Sequence, residues 1–381
     1  MRIERVEGLL VGSEVVGTNL VVRVTTDTGL VGLGQSGAWG FPQATNAVID
    51  HLRSALVGAD PMRTEHLQQH LSRLRPFRGN ILWGALSALD IALWDIKGRH
   101  LGVPVWELLG GRVRDRVRLH ALILDSDVDA VARAARAAAE EGFTAIKYDP
   151  IPTGWQDMSL ARLVESVRAM GAAGREAVGL DVDIIFELHR KLTPMHSLAV
   201  AQTLAEFRPL FIEDPIQIDS VMIQGALAER YDVPLANGER LSTIWEFRDL
   251  FAAGGPQYVR PDLGLAGGFT GCRKIAAMAE AHHAALVSHN YMGPLLTAAS
   301  IHLDVAIPNV ITQEYLLQDE SDFPGDAAFR TSLRRDGGYI AAPEAPGLGV
   351  ELDEALLAAA PPRTLPTTGL KRADGSPAFA S

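Results

Sequence analysis

The 381-residue chain contains one cysteine, Cys272, so it cannot form an intrachain disulfide and has no second thiol for a CxxC metal or redox site. That usage suits a reducing cytoplasm. No apolar run reaches the roughly 18 residues of a membrane span, and Met1-Arg2-Ile3-Glu4-Arg5 lacks the apolar core of a signal segment. Neither secretion nor membrane insertion is expected. Clusters of positive charge are missing too. Lys and Arg number 35 against 46 Asp and Glu, a net charge of −11 with His neutral, which argues against nucleic acid or an anionic membrane as partner. A small anionic substrate meeting that field needs a local positive centre, such as a metal. Charged residues make up 21% and apolar residues 47%, too little charge for a self-repelling disordered chain and enough apolar surface for a sizeable core.

The length exceeds one ordinary core of roughly 100–200 residues and points to two domains, or a large barrel with an appendage. Residues 20–24 and 30–34 flank the turn signal Asp27-Thr28-Gly29 and read as a hairpin. Gly32-Leu33-Gly34 lies inside it and reads as turn chemistry, and no GxGxxG fingerprint follows an early strand. Helical spacing runs from Ala44 to Leu56, Asp60-Pro61 reads as the cap and first residue of a second helix, and Leu82 to Ile96 is the most apolar helix, with Gly98 as its stop. From about residue 117, short apolar runs centred near 119, 146, 186, 211, 235, 259, 287 and 311 alternate with helix-length segments. Eight strands joined by seven helical crossovers predict an α/β fold closed into a (β/α)7β barrel, in preference to a doubly wound open sheet. The expected division is an α+β capping domain over 1–114, the barrel over 115–325 and a segment over 326–381 packed back on the capping domain, loosely structured after about 340.

In such a barrel the chemistry belongs at the C-terminal ends of the strands. Glu187, Glu213 and Glu239 fall there at intervals of 26 and 26 residues, about one strand–helix repeat, so their side chains can converge. Each alone reads equally well as a rim ion pair. Three together repel unless a cation neutralises them, and all-oxygen ligands suit a hard divalent ion, most simply Mg²⁺. Asp183, four residues before Glu187, lies roughly 13 Å away along an extended strand, near the wrong end. His189 projects to the side of Glu187 if strand alternation continues. Asp262 and His289 end adjacent strands, so an Asp–His pair that fixes the imidazole tautomer is available. Glu314 ends the eighth run and suits a hydrogen bond to a substrate oxygen. Lys147 can neutralise a substrate carboxylate or pair with an acidic ligand, and Asp149, on its side by alternation, reads as a substrate contact. Arg190, Arg240, Asn290 and Tyr291 follow site residues and read as substrate contacts; His282, His283 and Lys274 read as surface groups.

A divalent cation between two histidines suits removal of the weakly acidic proton α to a carboxylate. If the second group protonates a β-hydroxyl, water leaves and a 2-keto-3-deoxy acid results. If a proton returns to the same carbon, the product is an epimer. Hydrolysis would not need two separated histidines.

The motifs also carry a family likeness. Residues 85–98 (ALSALDIALWDIKG) and 102–111 (GVPVWELLGG), with Glu213-Asp214-Pro215, Gly238-Glu239-Arg240-Leu241, Pro261-Asp262-Leu263 and Ala266-Gly267-Gly268, make the chain resemble the enolase superfamily. The likeness is to its mandelate-racemase-like branch of acid-sugar dehydratases of the galactonate, gluconate and mannonate type. It implies a capping domain over a (β/α)7β barrel, one Mg²⁺ on Glu187, Glu213 and Glu239, an Asp262–His289 dyad, and Glu314 at the end of the eighth strand. By the same likeness His289 is the base at C2 and His189 the acid at the C3 hydroxyl. Residues near 13–19 and Trp39 would close the site over a small sugar acid, and a symmetric homo-oligomer is expected. Three positions depart from the branch: Glu187 where Asp is commoner, Lys147-Tyr148-Asp149 in place of Lys-x-Lys, and Arg260 where a neutral residue is common. Loss of the second lysine disfavours racemisation. The competing readings are an epimerase or lactone cycloisomerase of acid sugars, and a homologue that binds without turnover.

Overall fold

The computed structural model describes residues 1–13, 16–316, 326–365 and 369–379. Strands β1 (Ile3–Ser13), β2 (Gly17–Thr26) and β3 (Val31–Gln35) form an antiparallel sheet in chain order. Helices α1 (Pro42–Leu56), α2 (Thr64–Leu71), α3 (Asn80–Leu101) and the short α4 (Val105–Leu108) follow. Ile3, Val22, Ile49, Leu67, Leu89 and Leu93 are among the side chains buried between this sheet and its helices.

Gly32 and Gly34 are strand residues of β3, not turn residues. A Cβ there would lie 2.2 Å and 1.9 Å from the carbonyl oxygens of Ala92 and Ala88, so glycine lets α3 rest directly on the sheet. Two further expectations are corrected nearby. Asp60 and Pro61 form a turn, in which Asp60 Oδ1 accepts from the Met62 amide at 3.0 Å, and the helix starts only at Thr64. Nor does Gly98 stop α3: it is buried inside the helix, where a Cβ would meet Gly347 at 2.8 Å, and the stop is Gly102 at φ +69°.

The barrel alternates β4 (Arg116–Leu122), α5 (Val128–Glu140), β5 (Ala145–Tyr148), α6 (Leu160–Val178), β6 (Asp183–Glu187), α7 (Pro194–Leu204), β7 (Phe211–Glu213), α8 (Val221–Ala228), β8 (Leu235–Asn237), α9 (Ile244–Ala252), β9 (Tyr258–Val259), α10 (Gly268–Ala281), β10 (Ala285–Leu286), α11 (Pro294–Ala306) and β11 (Gln313–Leu316). Neighbouring strands pair in parallel, and β11 pairs with β4. A bridge from Leu286 to Val310 completes the circuit. The eighth strand therefore lies slightly later than the apolar run near 311 suggests. Ile185, Phe211, Ala236 and Val287 fill the barrel interior, so polar groups meet only at its mouth.

The last segment is more regular than its Pro/Gly/Ala content suggests. Residues 339–341 pair with β4, residues 350–352 pair with 329–331, and a helix spans 354–359. Its end touches both units: Gly12 donates to the Ala360 carbonyl, while Ala373 donates to Asp157 at 2.8 Å. Among the described residues no helix is long and apolar enough to cross a membrane.

Candidate active site

Each barrel strand is apolar until its last residues, where a polar group emerges at the mouth. Glu187 and Glu213 are register partners across β6 and β7, and Glu239 follows β8 after Gly238, whose φ of +129° turns the chain inward. One oxygen from each of the three buried carboxylates lies within 4.8 Å of the others. Asp183 sits at the opposite end of β6, paired with Arg118 at 2.8 Å.

Cations thread this cluster. The buried Lys147 ammonium lies 3.2 Å from Glu187, 3.0 Å from Glu213 and 2.5 Å from Glu314. Burial and the Arg260 guanidinium favour neutral lysine, but Glu213, Glu314 and Glu187 prevail and raise Lys147 above its ordinary value. Arg260, for which sequence supplies no reason, is fully buried: Nη2 is 2.6 Å from Glu314 Oε2 and Nε rests against Glu213. The Nε contact is out of hydrogen-bonding alignment, so Glu213 Oε1 keeps no hydrogen bond.

Arg190 Nη1 bridges Asp214 at 2.7 Å and Glu239 at 2.6 Å. Arg240 lies 2.8 Å from Glu239 and over the Trp39 ring at 5.8 Å. Six carboxylates (187, 213, 214, 239, 262, 314) thus face four cations (147, 190, 240, 260), a formal surplus of two negative charges. Burial and the charges of Glu187 and Glu239 push the Glu213 carboxyl well up, despite Arg260 and Lys147. A surplus of two, all-oxygen donors and an orphaned Glu213 oxygen fit a hard divalent cation held by Glu187, Glu213 and Glu239.

Two imidazole–carboxylate pairs stand at the ends of this triad. At the Glu239 end, His289 Nδ1 is 2.7 Å from Asp262 Oδ2 and its Nε2 is 3.3 Å from Glu239. Asp262 is held in turn by the Gly264 amide at 2.7 Å. At the Glu187 end, His189 Nδ1 is 2.6 Å from Asp149 Oδ2, and the His189 amide donates to Glu187 at 2.9 Å. Burial opposes charge on His189, but Glu187 and Asp149 prevail and raise it above the ordinary imidazole value.

His189 does not reach the site by strand alternation. The strand ends at Glu187, and His189 (φ +49°) and Arg190 (φ +60°) take left-handed conformations that carry the ring sideways to β5. Arg190 and Asp149 are consequently engaged by protein charges. Glu314, on β11, holds Lys147 and Arg260 and accepts from the Asn290 amide at 3.0 Å. Asn290 donates to Thr297 at 2.7 Å, and Tyr291 is partly buried against the apolar cluster that the cap and the barrel share. His282 and His283 are exposed, and Lys274 reaches Glu65 of α2. Of the loop expected near 13–19, residues 14 and 15 lie outside the described residues.

A cavity of about 290 Å³ opens beside the triad, lined by Asp149, Glu187, His189, Lys191, Trp155 and Leu370. A larger cleft, about 770 Å³, lies between Arg78 and α9 and contains none of the triad or histidine residues. Three further residues serve the site with no assigned role in the sequence: Lys191 holds Asp149, Asn237 donates to Asp214 at 2.8 Å, and Gly37 donates to the Gly264 carbonyl at 2.8 Å. Asp214 carries a detectable signal, standing beside a strand-end Glu; Lys191 carries none, because a left-handed turn places it.

A capped (β/α)7β barrel with a strand-end carboxylate triad and flanking histidines is an enolase-type architecture. Residues 11–110 match the mandelate racemase/muconate lactonizing enzyme N-terminal domain, and residues 129–356 match the enolase C-terminal domain-like family. D-galactonate dehydratase of Xanthomonas euvesicatoria is 36% identical over 349 residues, covering 89% of this chain and 90% of that protein. The D-galactonate dehydratase of Ralstonia nicotianae is also 36% identical, with the same coverage. An Agrobacterium radiobacter enolase, provisionally described as a galactarate dehydratase and solved with sodium and L-malate, superposes with a TM-score of 0.93. It is 32% identical, over 100% of both chains. The chain belongs to the mandelate racemase/muconate lactonizing enzyme family of the enolase superfamily.

Proposed function

We propose that the protein is a Mg²⁺-dependent hydro-lyase of an aldonate such as galactonate, gluconate or mannonate. The observation that carries this reading is the placement of two carboxylate-held imidazoles at opposite ends of one acidic triad. When bound by Glu187, Glu213 and Glu239, the divalent cation supplies positive charge to the substrate carboxylate and to the enediolate that proton loss creates. His289, fixed by Asp262 on Nδ1, presents Nε2 as the base that takes the C2 proton. His189, fixed by Asp149, stands at the other end as the acid that protonates the C3 hydroxyl as it leaves. Lys147 and Arg260 hold Glu213 and Glu314 in place beneath the substrate. Loss of water and tautomerisation give the 2-keto-3-deoxy acid. Similarity to D-galactonate dehydratases supports the same reaction class.

The test is incubation with Mg²⁺ and a panel of aldonic and aldaric acids in D₂O, beginning with D-galactonate and following C2 deuterium and 2-keto-3-deoxy product by NMR. Dehydration of an aldonate is expected. Exchange without dehydration would replace this reading with epimerisation, and neither signal across the panel would overturn it. His289→Asn should abolish exchange, whereas His189→Asn should keep exchange and lose dehydration. Near wild-type dehydration by His189→Asn would refute the assigned roles.

A further inference from the structure

Resting on the dehydratase reading, we infer that Asp149 is a positioning residue for His189, and not a substrate contact. His189 and Arg190 are consecutive non-glycine residues at φ +49° and +60°, a conformation that persists only where the surroundings over-determine it. Three contacts do so. The His189 amide is held by Glu187, the Arg190 amide donates to the Asp214 carbonyl at 2.6 Å, and the His189 ring donates from Nδ1 to Asp149 Oδ2 at 2.6 Å.

The Asp149 carboxylate is itself pinned. Oδ1 accepts from the Ile151 amide at 2.8 Å, and Oδ2 is shared between His189 Nδ1 and Lys191 Nζ. Both oxygens are committed to protein donors, which leaves little capacity for a sugar hydroxyl. With Nδ1 engaged, the ring presents its opposite nitrogen, Nε2, to the cavity lined by Glu187 and Lys191. Nε2 has no hydrogen-bond partner among the described residues. The arrangement repeats the Asp262–His289 pair on a different pair of strands, with Asp149 just beyond β5 and His189 just beyond β6. Each histidine is therefore aimed by a carboxylate from the preceding strand. Lys191 keeps that carboxylate from swinging toward the substrate.

Asp149→Ala and Asp149→Asn decide the matter, compared with wild type on the aldonate that wild type dehydrates. Asp149→Ala should lower kcat for dehydration by ~10–100-fold, the usual effect of losing a carboxylate that orients an active imidazole. KM should stay within about twofold and C2 exchange should persist, because His289 acts independently. Asp149→Asn, which retains an acceptor oxygen, should recover part of the loss. A raised KM with kcat intact would make Asp149 a substrate contact and overturn the inference. So would exchange and dehydration falling in step. A readout independent of turnover is the ¹⁵N spectrum of His189, assigned against His189→Asn: Asp149→Ala should shift it from one tautomer to a mixture, and an unchanged spectrum would also overturn the inference. Absence of product from wild type would strike the dehydratase reading itself, leaving the ¹⁵N result to judge Asp149.

Discussion

Gly37→Ala adds one methyl group in the capping domain and should disable proton abstraction in the barrel. The new Cβ would lie 2.5 Å from Asp262 Oδ1, 2.8 Å from its Cγ and 2.9 Å from Oδ2, where ordinary contact begins at 3.4 Å. Relief requires the carboxylate or the Gly37 segment to move by about 0.9 Å, and a misplacement near 1 Å costs ~100-fold in rate. Neither side has slack. Gly37 donates to the Gly264 carbonyl at 2.8 Å, Gly264 donates to Asp262 at 2.7 Å, and Asp262 holds His289 at 2.7 Å. Overpacking of this kind also costs ~1–3 kcal/mol of stability. The assay is the rate of C2 deuterium incorporation beside a thermal melt, with Gly40→Ala as control because a Cβ at Gly40 meets nothing within 4 Å. Exchange at the wild-type rate in a destabilised Gly37→Ala protein would refute the coupling between cap and dyad, as would equal losses in Gly40→Ala.

Burial raises Asp90 from its ordinary 3.8 to about 7, against the amide and hydroxyl of Thr270. Between those pH values the folded state binds the extra proton, so stability falls as pH rises, by up to ~4 kcal/mol at pH 8. The stability of wild type relative to Asp90→Asn should therefore decline from pH 4 to pH 8 in denaturant titrations, and a flat difference would contradict it. Arg260→Met removes a fully buried cation from Glu213 and Glu314 and should cost ~3–5 kcal/mol. Mg²⁺ should restore part of that, raising Tm more in the variant than in wild type; an equal Mg²⁺ shift would count against the charge surplus. Glu213→Gln should lose the Mg²⁺-dependent rise in Tm, and its survival would argue against the triad as the metal site.

The fold was legible where periodicity reports geometry. Glu187, Glu213 and Glu239 converge because 26 residues make one strand–helix repeat, and repeat length is a linear property of the chain. Asp262 and His289 fall one repeat apart for the same reason, and the structure joins them. What sequence hides is backbone handedness and close approach. The left-handed turn at His189 and Arg190 breaks strand alternation beyond Glu187, yet delivers the ring to the same mouth by another route. Gly32 and Gly34 resemble turn residues until α3 is seen resting on them. Arg260 had no rationale because its partners, Glu213 and Glu314, come from strands 47 and 54 positions away.

The seam between α3 and α10 bears on how substrate enters. Ser87 accepts from the Gly267 amide at 2.8 Å, Asp90 from the Thr270 amide at 3.0 Å, and Trp94 donates to the Thr270 hydroxyl at 3.0 Å. Three successive turns of one helix are thus stitched to the start of another, with Gly32 and Gly34 leaving α3 no room to slide. A hinge that swung the cap away as a rigid body would break all of these bonds at once. Gating must instead fall to the peptide segments around the rim, so the pace of ligand exchange should follow substitutions in those segments and be indifferent to the viscosity drag expected of whole-domain opening.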